Sequence, residues 1–367
     1  MTDYQGPLAG IRVVEFTNLI AGPHAGMLLA DLGADVIKVE PPGGDLGRGF
    51  GPYVDGQSAF FVAANRGKRS VVLDLRTDDG KTNAFKLASE ADVVLHNLRA
   101  GAMERAGLGE AEIRAANPGV IYAVVSAFAP SGPEAHRSGI DVVFQAEAGM
   151  VAISGERDGP MAKTATTIGD YTAAIHAALA ICAALVERAS TGIGRRIDTS
   201  LRDGIMTVQG GWNALAFATG TQPTKRGTAS PYLAPNQVFA TSDGHIALAI
   251  VSERHWLILC ETLGRPDLAE RFPDNDSRMA EVDELAADLD RVFAGGTTEY
   301  WVDVLTGAGL PAGKVRSLLE AFDAAPHMRH DGGVIPVTGS AISIDGVQIG
   351  HPDPAPALGA HTGEILG

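Results

Sequence analysis

The chain has 367 residues, 45% of them hydrophobic and 20% charged, with a mean hydropathy of +0.07, which fits a globular protein large enough for two self-sufficient cores. A formal net charge of −15 argues against general binding to nucleic acid or an anionic membrane, because like charge repels a polyanion over the whole surface, though it leaves room for a local basic pocket. The two cysteines, Cys182 and Cys260, lie in apolar helical-looking stretches and point to a reducing, cytoplasmic compartment, and no basic-then-apolar leader opens the sequence.

In chain order, Ile11 to Phe16 is a β-branched strand, and Gly22 to Leu32 takes up helical spacing. The alternation repeats with a strand at Asp35 to Val39, a strand at Ser70 to Leu73 before a helix at Asp79 to Glu90, and a strand at Asp92 to Leu95 before a helix at Ala102 to Ala106. Val120 to Val125 adds a further strand. Short apolar strands between amphipathic helices predict a Rossmann-like α/β domain with a parallel sheet. An Ala-rich buried helix is expected from Tyr171 to Arg188, stopped by glycine at Thr191-Gly-Ile-Gly194, and a strand at Arg196 to Ser200 precedes another helix. Turn residues near Thr221 then open a smaller α+β domain. The expected division is a large domain of residues 1–222 and 331–367 and a small one of residues 223–330, the tail returning to the first.

No HExxH, paired CxxC or clustered His/Asp spacing is present, so no metal site is expected; GxSxG, GxxxxGK[ST] and GxGxxG are also missing. Gly169-Asp170 stands at the start of the long helix, where an aspartate serves as an N-cap or as a carboxylate held at a positive helix end. Asn65-Arg-Gly-Lys-Arg69, Arg76, Arg99 and Arg105 put cations beside the first strands, a pattern that fits a solvated face or a phosphate-rich ligand. Local patterns lead no further than an α/β protein suited to an anionic ligand.

Segments spread almost end to end resemble the class III CoA-transferase family, which includes formyl-CoA transferase and α-methylacyl-CoA racemase. They are Leu8-Ala-Gly-Ile-Arg-Val-Val-Glu-Phe16, Ala21-Gly-Pro23, Leu32-Gly-Ala-Asp-Val-Ile-Lys-Val-Glu40, Asn65-Arg-Gly-Lys-Arg-Ser70 with Leu73-Asp-Leu75, Asp92-Val-Val-Leu-His-Asn97, Gly139-Ile-Asp141 with Gln145-Ala146, Gly169-Asp170, and Leu358-Gly-Ala-His-Thr362. The resemblance implies a CoA-binding α/β domain, a smaller domain closing the active site, and an interlocked homodimer. It implies Asp170 as the acyl-carrying nucleophile, and CoA contacts at Leu73, Arg76, Asn97, Leu98, Arg99, Arg105 and Leu201. CoA esters are then substrates, with no further cofactor.

The sequence also departs from the family. Pro41 stands where a CoA-binding arginine is often found, and Ile20 where formyl-CoA transferase has a glutamine. Ile140 replaces the catalytic histidine of the racemase branch and cannot carry a proton, which favours transfer over racemisation. Glu253 falls where racemases use a supporting glutamate and otherwise reads as an exposed loop acid. The implied reaction moves CoA from an acyl-CoA donor to a carboxylic acid through an aspartyl anhydride and an aspartyl-CoA thioester. Asp170 at an ordinary pKa of about 3.9 would be ionised at neutral pH without a helping base. The rival readings are an acyl-CoA racemase or epimerase, which would exchange the α-proton with solvent, and a non-catalytic CoA-binding protein, which would not need Asp170.

Overall fold

The computed structural model describes residues 5–367. The chain forms two compact units: residues up to Val151, Lys163–Gln222 and Ala325–Gly367 make the first, and Ala152–Ala162 with Pro223–Ala324 make the second.

The first unit is built on β1 (Arg12–Phe16), α1 (Ala21–Asp31), β2 (Asp35–Glu40), β3 (Lys68–Val72), α2 (Asp78–Ser89), β4 (Val93–His96), β5 (Ile121–Ser126), α3 (Asp141–Glu147), α4 (Ile168–Thr191), β6 (Arg196–Ser200), α5 (Leu201–Val208) and α6 (Gly210–Thr219). All six strands are parallel and lie side by side in the order β3-β2-β1-β4-β5-β6, as the Rossmann-like expectation requires. The central strands are mostly apolar on both faces because helices cover both, with Glu15 of β1 and Lys38 of β2 as buried charged exceptions. Val13, Val93 and Leu95 pack with α1 and α4, whereas Val14, Phe16 and Val94 pack with Ala84, Leu87 and Ala88 of α2.

Helix α4 ends where its glycine requires. Gly192 adopts φ +70° and its N–H closes onto the Arg188 carbonyl at 2.8 Å. The helix is longer than expected and only one side of it is core. Ala173, Ala174, Ala177 and Ile181 are buried, but Ile175, Leu179 and Val186 are 52%, 65% and 76% exposed. At 24 residues it has the length and composition to cross a membrane, yet half of its apolar window is inside the protein, as in a core helix. The tail returns to this unit: Ser70 accepts from the His361 and Gly359 N–H groups, and the Gly67 N–H meets the Asp353 carbonyl at 3.0 Å.

The second unit carries an antiparallel sheet of β7 (Asn236–Ala240), β8 (His245–Ala249) and β9 (Ala312–Lys314), with β8 central. Helices α7 (Glu253–Thr262), α8 (Val282–Phe293) and α9 (Thr298–Gly307) supply Trp256, Leu259, Phe293 and Trp301 to its core. Glu253 is exposed, as expected, but it is a helix residue and not a loop acid. It opens α7 and grips the buried Arg278 guanidinium through two bonds of 2.8 and 2.9 Å, which hold its carboxyl below the usual range.

Candidate active site

The strand order reverses between β1 and β4, so their carboxyl ends form the switch point at which open α/β sheets bind ligands. Asn97, the first residue after β4, spans it. Its Oδ1 accepts the Asn18 N–H at 2.8 Å and its Nδ2 donates to the Asn18 carbonyl at 2.8 Å. Gly22 lets α1 begin close against this switch point, since a Cβ there would lie 2.6 Å from Thr17 Cγ2 and 3.0 Å from Asn97 Cγ. Between β1 and α1, Leu19 is held at φ +66°, a left-handed conformation that a branched side chain rarely adopts.

The start of α1 has no side-chain cap of its own. The Ala21 N–H at that start favours the ionised form of the Asp170 carboxylate, which stands in the first turn of α4. Asp170 therefore sits at the positive ends of two helices. It is not the N-cap of α4, because the helix starts at Ile168 after Thr167. The buried Asp141, first residue of α3, caps α4 instead: its Oδ1 accepts the Gly169 N–H at 2.7 Å. Gln145, one turn along α3, donates to Asp141 Oδ2 at 2.5 Å and accepts the Thr164 N–H at 2.9 Å, so α3 fixes the approach to α4.

The expectation of an ordinary pKa for Asp170 fails for a reason in this geometry. Burial and then the nearby Asp141 carboxylate push it up to about 7, against the pull of the Ala21 N–H. Among the described residues, no basic side chain enters into this balance. Beside it, Tyr171 stacks edge-on against His24 of α1, ring centroids 4.8 Å apart, and burial with the Arg66 and Lys68 charges brings His24 down to about 4. His24 is thus a neutral imidazole at physiological pH.

The residues expected at CoA all follow the carboxyl ends of strands. Leu73 and Arg76 follow β3; Asn97, Leu98, Arg99 and Arg105 follow β4; Leu201 follows β6. They do not form one patch. Leu73 and Leu201 are buried in different core clusters, on opposite faces of the sheet, and Leu98 packs on the cluster that holds Leu73. Asn97 spends its amide on Asn18. The three arginines are exposed, and Arg76, 85% exposed, chelates Asp74 at 2.7 and 2.8 Å.

The Asn65–Arg69 run is no solvated face. Arg66 is 2% exposed and paired with Asp31, and Lys68 is 3% exposed and bound to Glu15 at 2.8 Å and Asn65 at 2.9 Å. Arg69 pairs with Asp35 at 2.5 Å. These cations hold the first unit together and are already matched by acids.

Nothing in the order of residues announced the Ala21 N–H, because a backbone donor has no sequence signature. Asp141 and Gln145 stand one helical turn apart, a spacing that allows their bond but does not reveal the Gly169 partner.

Known proteins align over the same span. The model of "CoA-transferase family III" matches residues 8–362. A succinyl-CoA:mesaconate CoA-transferase of Haloarcula hispanica is 37% identical, with 98% of this chain and 96% of that protein covered. An acetyl-CoA:oxalate CoA-transferase of Acetobacter aceti is 35% identical, with 96% and 93% covered. The crystal structure of a CAIB/BAIF family protein from Brucella suis superposes with a TM-score of 0.89 at 34% identity, over 99% of each chain. With its parallel sheet and this near end-to-end match, the chain belongs to CoA-transferase family III.

Proposed function

We propose that the protein is an acyl-CoA:carboxylate CoA-transferase in which Asp170 carries first an acyl group and then CoA. The observation behind this reading is a half-buried carboxylate in the first turn of α4, beside the buried Asp141 that caps that helix, with no cation among the described residues drawing its pKa down. An Asp170 oxygen attacks the thioester carbonyl, the C–S bond breaks, and CoA leaves as thiolate from a mixed anhydride. The thiolate then attacks the Asp170 carbonyl, releasing the donor acid and forming an aspartyl-CoA thioester. The acceptor carboxylate attacks the same carbonyl, the thiolate leaves again, and its return to the acceptor's acyl carbon frees Asp170. Each step conserves acyl activation, which makes a carboxylate nucleophile suitable. The free N–H groups at the start of α1, which has no side-chain cap, suit the charge that develops when the aspartyl carbonyl is attacked.

Phosphates of CoA fit the exposed Arg76, Arg99 and Arg105 at the strand ends, where this acidic protein offers charge-assisted donors. Ile140 supports transfer over racemisation, for it caps α3 with a hydrocarbon side chain 65% exposed and has no proton to give. The unpaired Cys182 and Cys260 suit a reducing cytoplasm.

The decisive experiment mixes the protein with an acyl-CoA, traps with hydroxylamine, and locates the adduct by mass spectrometry. Modification at Asp170 is expected. An adduct on another side chain, or full activity in Asp170→Asn, defeats the reading. A homodimer is part of the same proposal, since Ile175, Leu179 and Val186 on α4 and Phe217 on α6, 86% exposed, leave an apolar surface that water does not favour. A stable active monomer in light scattering at micromolar concentration would exclude it.

A further inference from the structure

Helix α4 begins without a cap of its own. Thr167 stands at its N-cap but makes no side-chain capping bond, and the N–H groups of the first turn, where Asp170 stands, have no partners within the helix. That turn is held from outside, by two side chains of α3 that bracket the segment leading into it. At the beginning of the segment, Gln145 Oε1 accepts the Thr164 N–H at 2.9 Å. At its end, Asp141 Oδ1 accepts the Gly169 N–H at 2.7 Å, one residue before Asp170. The two side chains are joined, since Gln145 Nε2 donates to Asp141 Oδ2 at 2.5 Å. Between them the segment closes on itself: Thr164 Oγ1 donates to the Thr166 carbonyl at 2.8 Å, and the Ile168 N–H meets the same carbonyl at 3.0 Å. Only glycine fits at 169 without displacing a neighbour, because a Cβ there would lie 3.0 Å from both Asp141 Oδ1 and Ile205 Cδ1. Asp141 is 6% exposed and Gln145 has no exposed surface. A buried amide with both ends engaged admits one arrangement of the elements around it.

We infer that Gln145 is a positioning residue for the transfer reaction: by tying Asp141 to Thr164 it fixes where α4 begins, and so where its first turn presents Asp170. Being enclosed, Gln145 does not touch substrate, and it acts through Asp141 and the Gly169-Asp170 backbone. The inference rests on the reading of Asp170 as nucleophile and goes beyond it. The rival role is packing alone, in which Gln145 only fills and satisfies the space between α3 and the approach to α4. Its loss would then lower stability and leave the rate per folded molecule unchanged.

Gln145→Met keeps the length of the side chain and removes both bonds. The first turn is then free to fray, and misplacement by an ångström costs up to about 100-fold, so kcat should fall roughly 10–100-fold with the acyl-CoA KM within about threefold. The double variant Asp141→Asn/Gln145→Glu reverses the polarity of the joint. Its asparagine keeps an oxygen for the Gly169 N–H and donates to the new carboxylate, whose other oxygen accepts the Thr164 N–H. This variant should keep kcat within about fivefold of wild type, all rates being read near pH 8.5 so that Asp170 is ionised throughout. A folded Gln145→Met with a lower melting temperature and unchanged kcat overturns the inference, as does a double variant as slow as Gln145→Met. Where Gln145→Met does not fold, Gln145→Glu, which sets two carboxyl groups against each other at the joint, takes its place. A single variant at least about tenfold slower than the double supports the inference, and equal rates overturn it. Full activity in Asp170→Asn, or a wild-type adduct on another side chain, would instead defeat the transferase reading, whatever the Gln145 variants show.

Discussion

Asp45 and Asp170 are both carboxylates enclosed in the first unit, and their surroundings are opposite. Asp45 is fully buried, but Lys38, the Leu19 N–H and the Gly47 N–H satisfy it. It belongs to a cluster in which Glu15 is shared by Lys38 and Lys68. Burial alone would lower the pKa of Lys38, yet Glu15 and Asp45 outweigh it and hold the amine above its ordinary value. Asp170 has one N–H, a neighbouring acid and no cation among the described residues, and its pKa rises to about 7. A buried charge with partners builds a scaffold. One left short of partners is kept in a higher-energy ionised state, from which nucleophilic attack gains.

The sharpest way to break this contrast is Asp170→Asn, which should remove on the order of 10⁴-fold of transfer activity or more while the protein folds. The same change should stabilise the protein at alkaline pH. Because the folded-state pKa is raised from 3.8 to about 7, the folded state holds its proton more tightly than the unfolded chain, so this contribution to stability is complete below about pH 4 and is lost as pH rises through 7. Asparagine escapes that loss. Urea unfolding should show a gain of roughly 1–4 kcal/mol at pH 8 that vanishes near pH 4. A variant no more stable than wild type at pH 8 would mean that Asp170 carries no such strain.

The paired cluster should behave in the opposite way. Lys38→Met removes a cation and leaves Glu15 and Asp45 short of charge in a dry interior, a change that costs about 3–5 kcal/mol in comparable buried pairs. Denaturant midpoints should fall accordingly across the neutral range. A near-neutral outcome would show that the cluster is hydrated or that Lys68 takes over both acids.

How far the sequence disclosed these two places follows from what each is made of. The β-branched strands and the intervening helices showed the sheet, because alternating hydrophobic runs leave few other ways to bury both faces. Gly192 ended α4 as its position implied. Asp170 was visible as a residue, but its environment was not, since burial comes from the assembled fold and Asp141 from a helix about thirty positions earlier in the chain. The run from Asn65 to Arg69 misled for the same reason: Asp31, Glu15 and Asp35 meet it only after the sheet has assembled. The exposed side of α4 was likewise hidden, because an Ala- and Ile-rich helix looks the same whether its second face meets core or another surface.

A gentler change separates the two causes of the raised Asp170 pKa. Asp141→Asn keeps an oxygen for the Gly169 N–H but removes the like charge, the second cause after burial. The acid limb of kcat/KM, expected near pH 7 in the wild type because ionised Asp170 is the reactive form, should move down by about one pH unit and remain above the ordinary aspartate value. A limb that does not move would assign the whole effect to burial. One that moves upward would show that Asp141 acts chiefly through the Gly169 bond.

The smallest effects are expected at the exposed arginines, where the contrast between satisfied and unsatisfied charge is weakest. Arg76 already chelates Asp74, whose carboxyl it draws down to about 2, so a CoA phosphate must compete with an existing partner. Exposed ion pairs are screened by water and contribute little, so exchanging one such partner for a phosphate is a small change. Single alanine variants of Arg76, Arg99 and Arg105 should therefore raise the KM for acyl-CoA by roughly 3–10-fold and leave kcat within about twofold, since the phosphates lie far along CoA from the thioester and bind alike in ground and transition states. The effect should shrink as salt is added. For Arg76 a second variant separates the two partners: Asp74→Ala frees the guanidinium and should lower KM where Arg76→Ala raises it. Steady-state KM values across acyl-CoA esters of different acyl groups make the check, for an arginine bound to phosphate predicts the same ratio for every ester. A ratio that follows the acyl group, or no change in any of the three arginine variants, would place the CoA phosphates elsewhere.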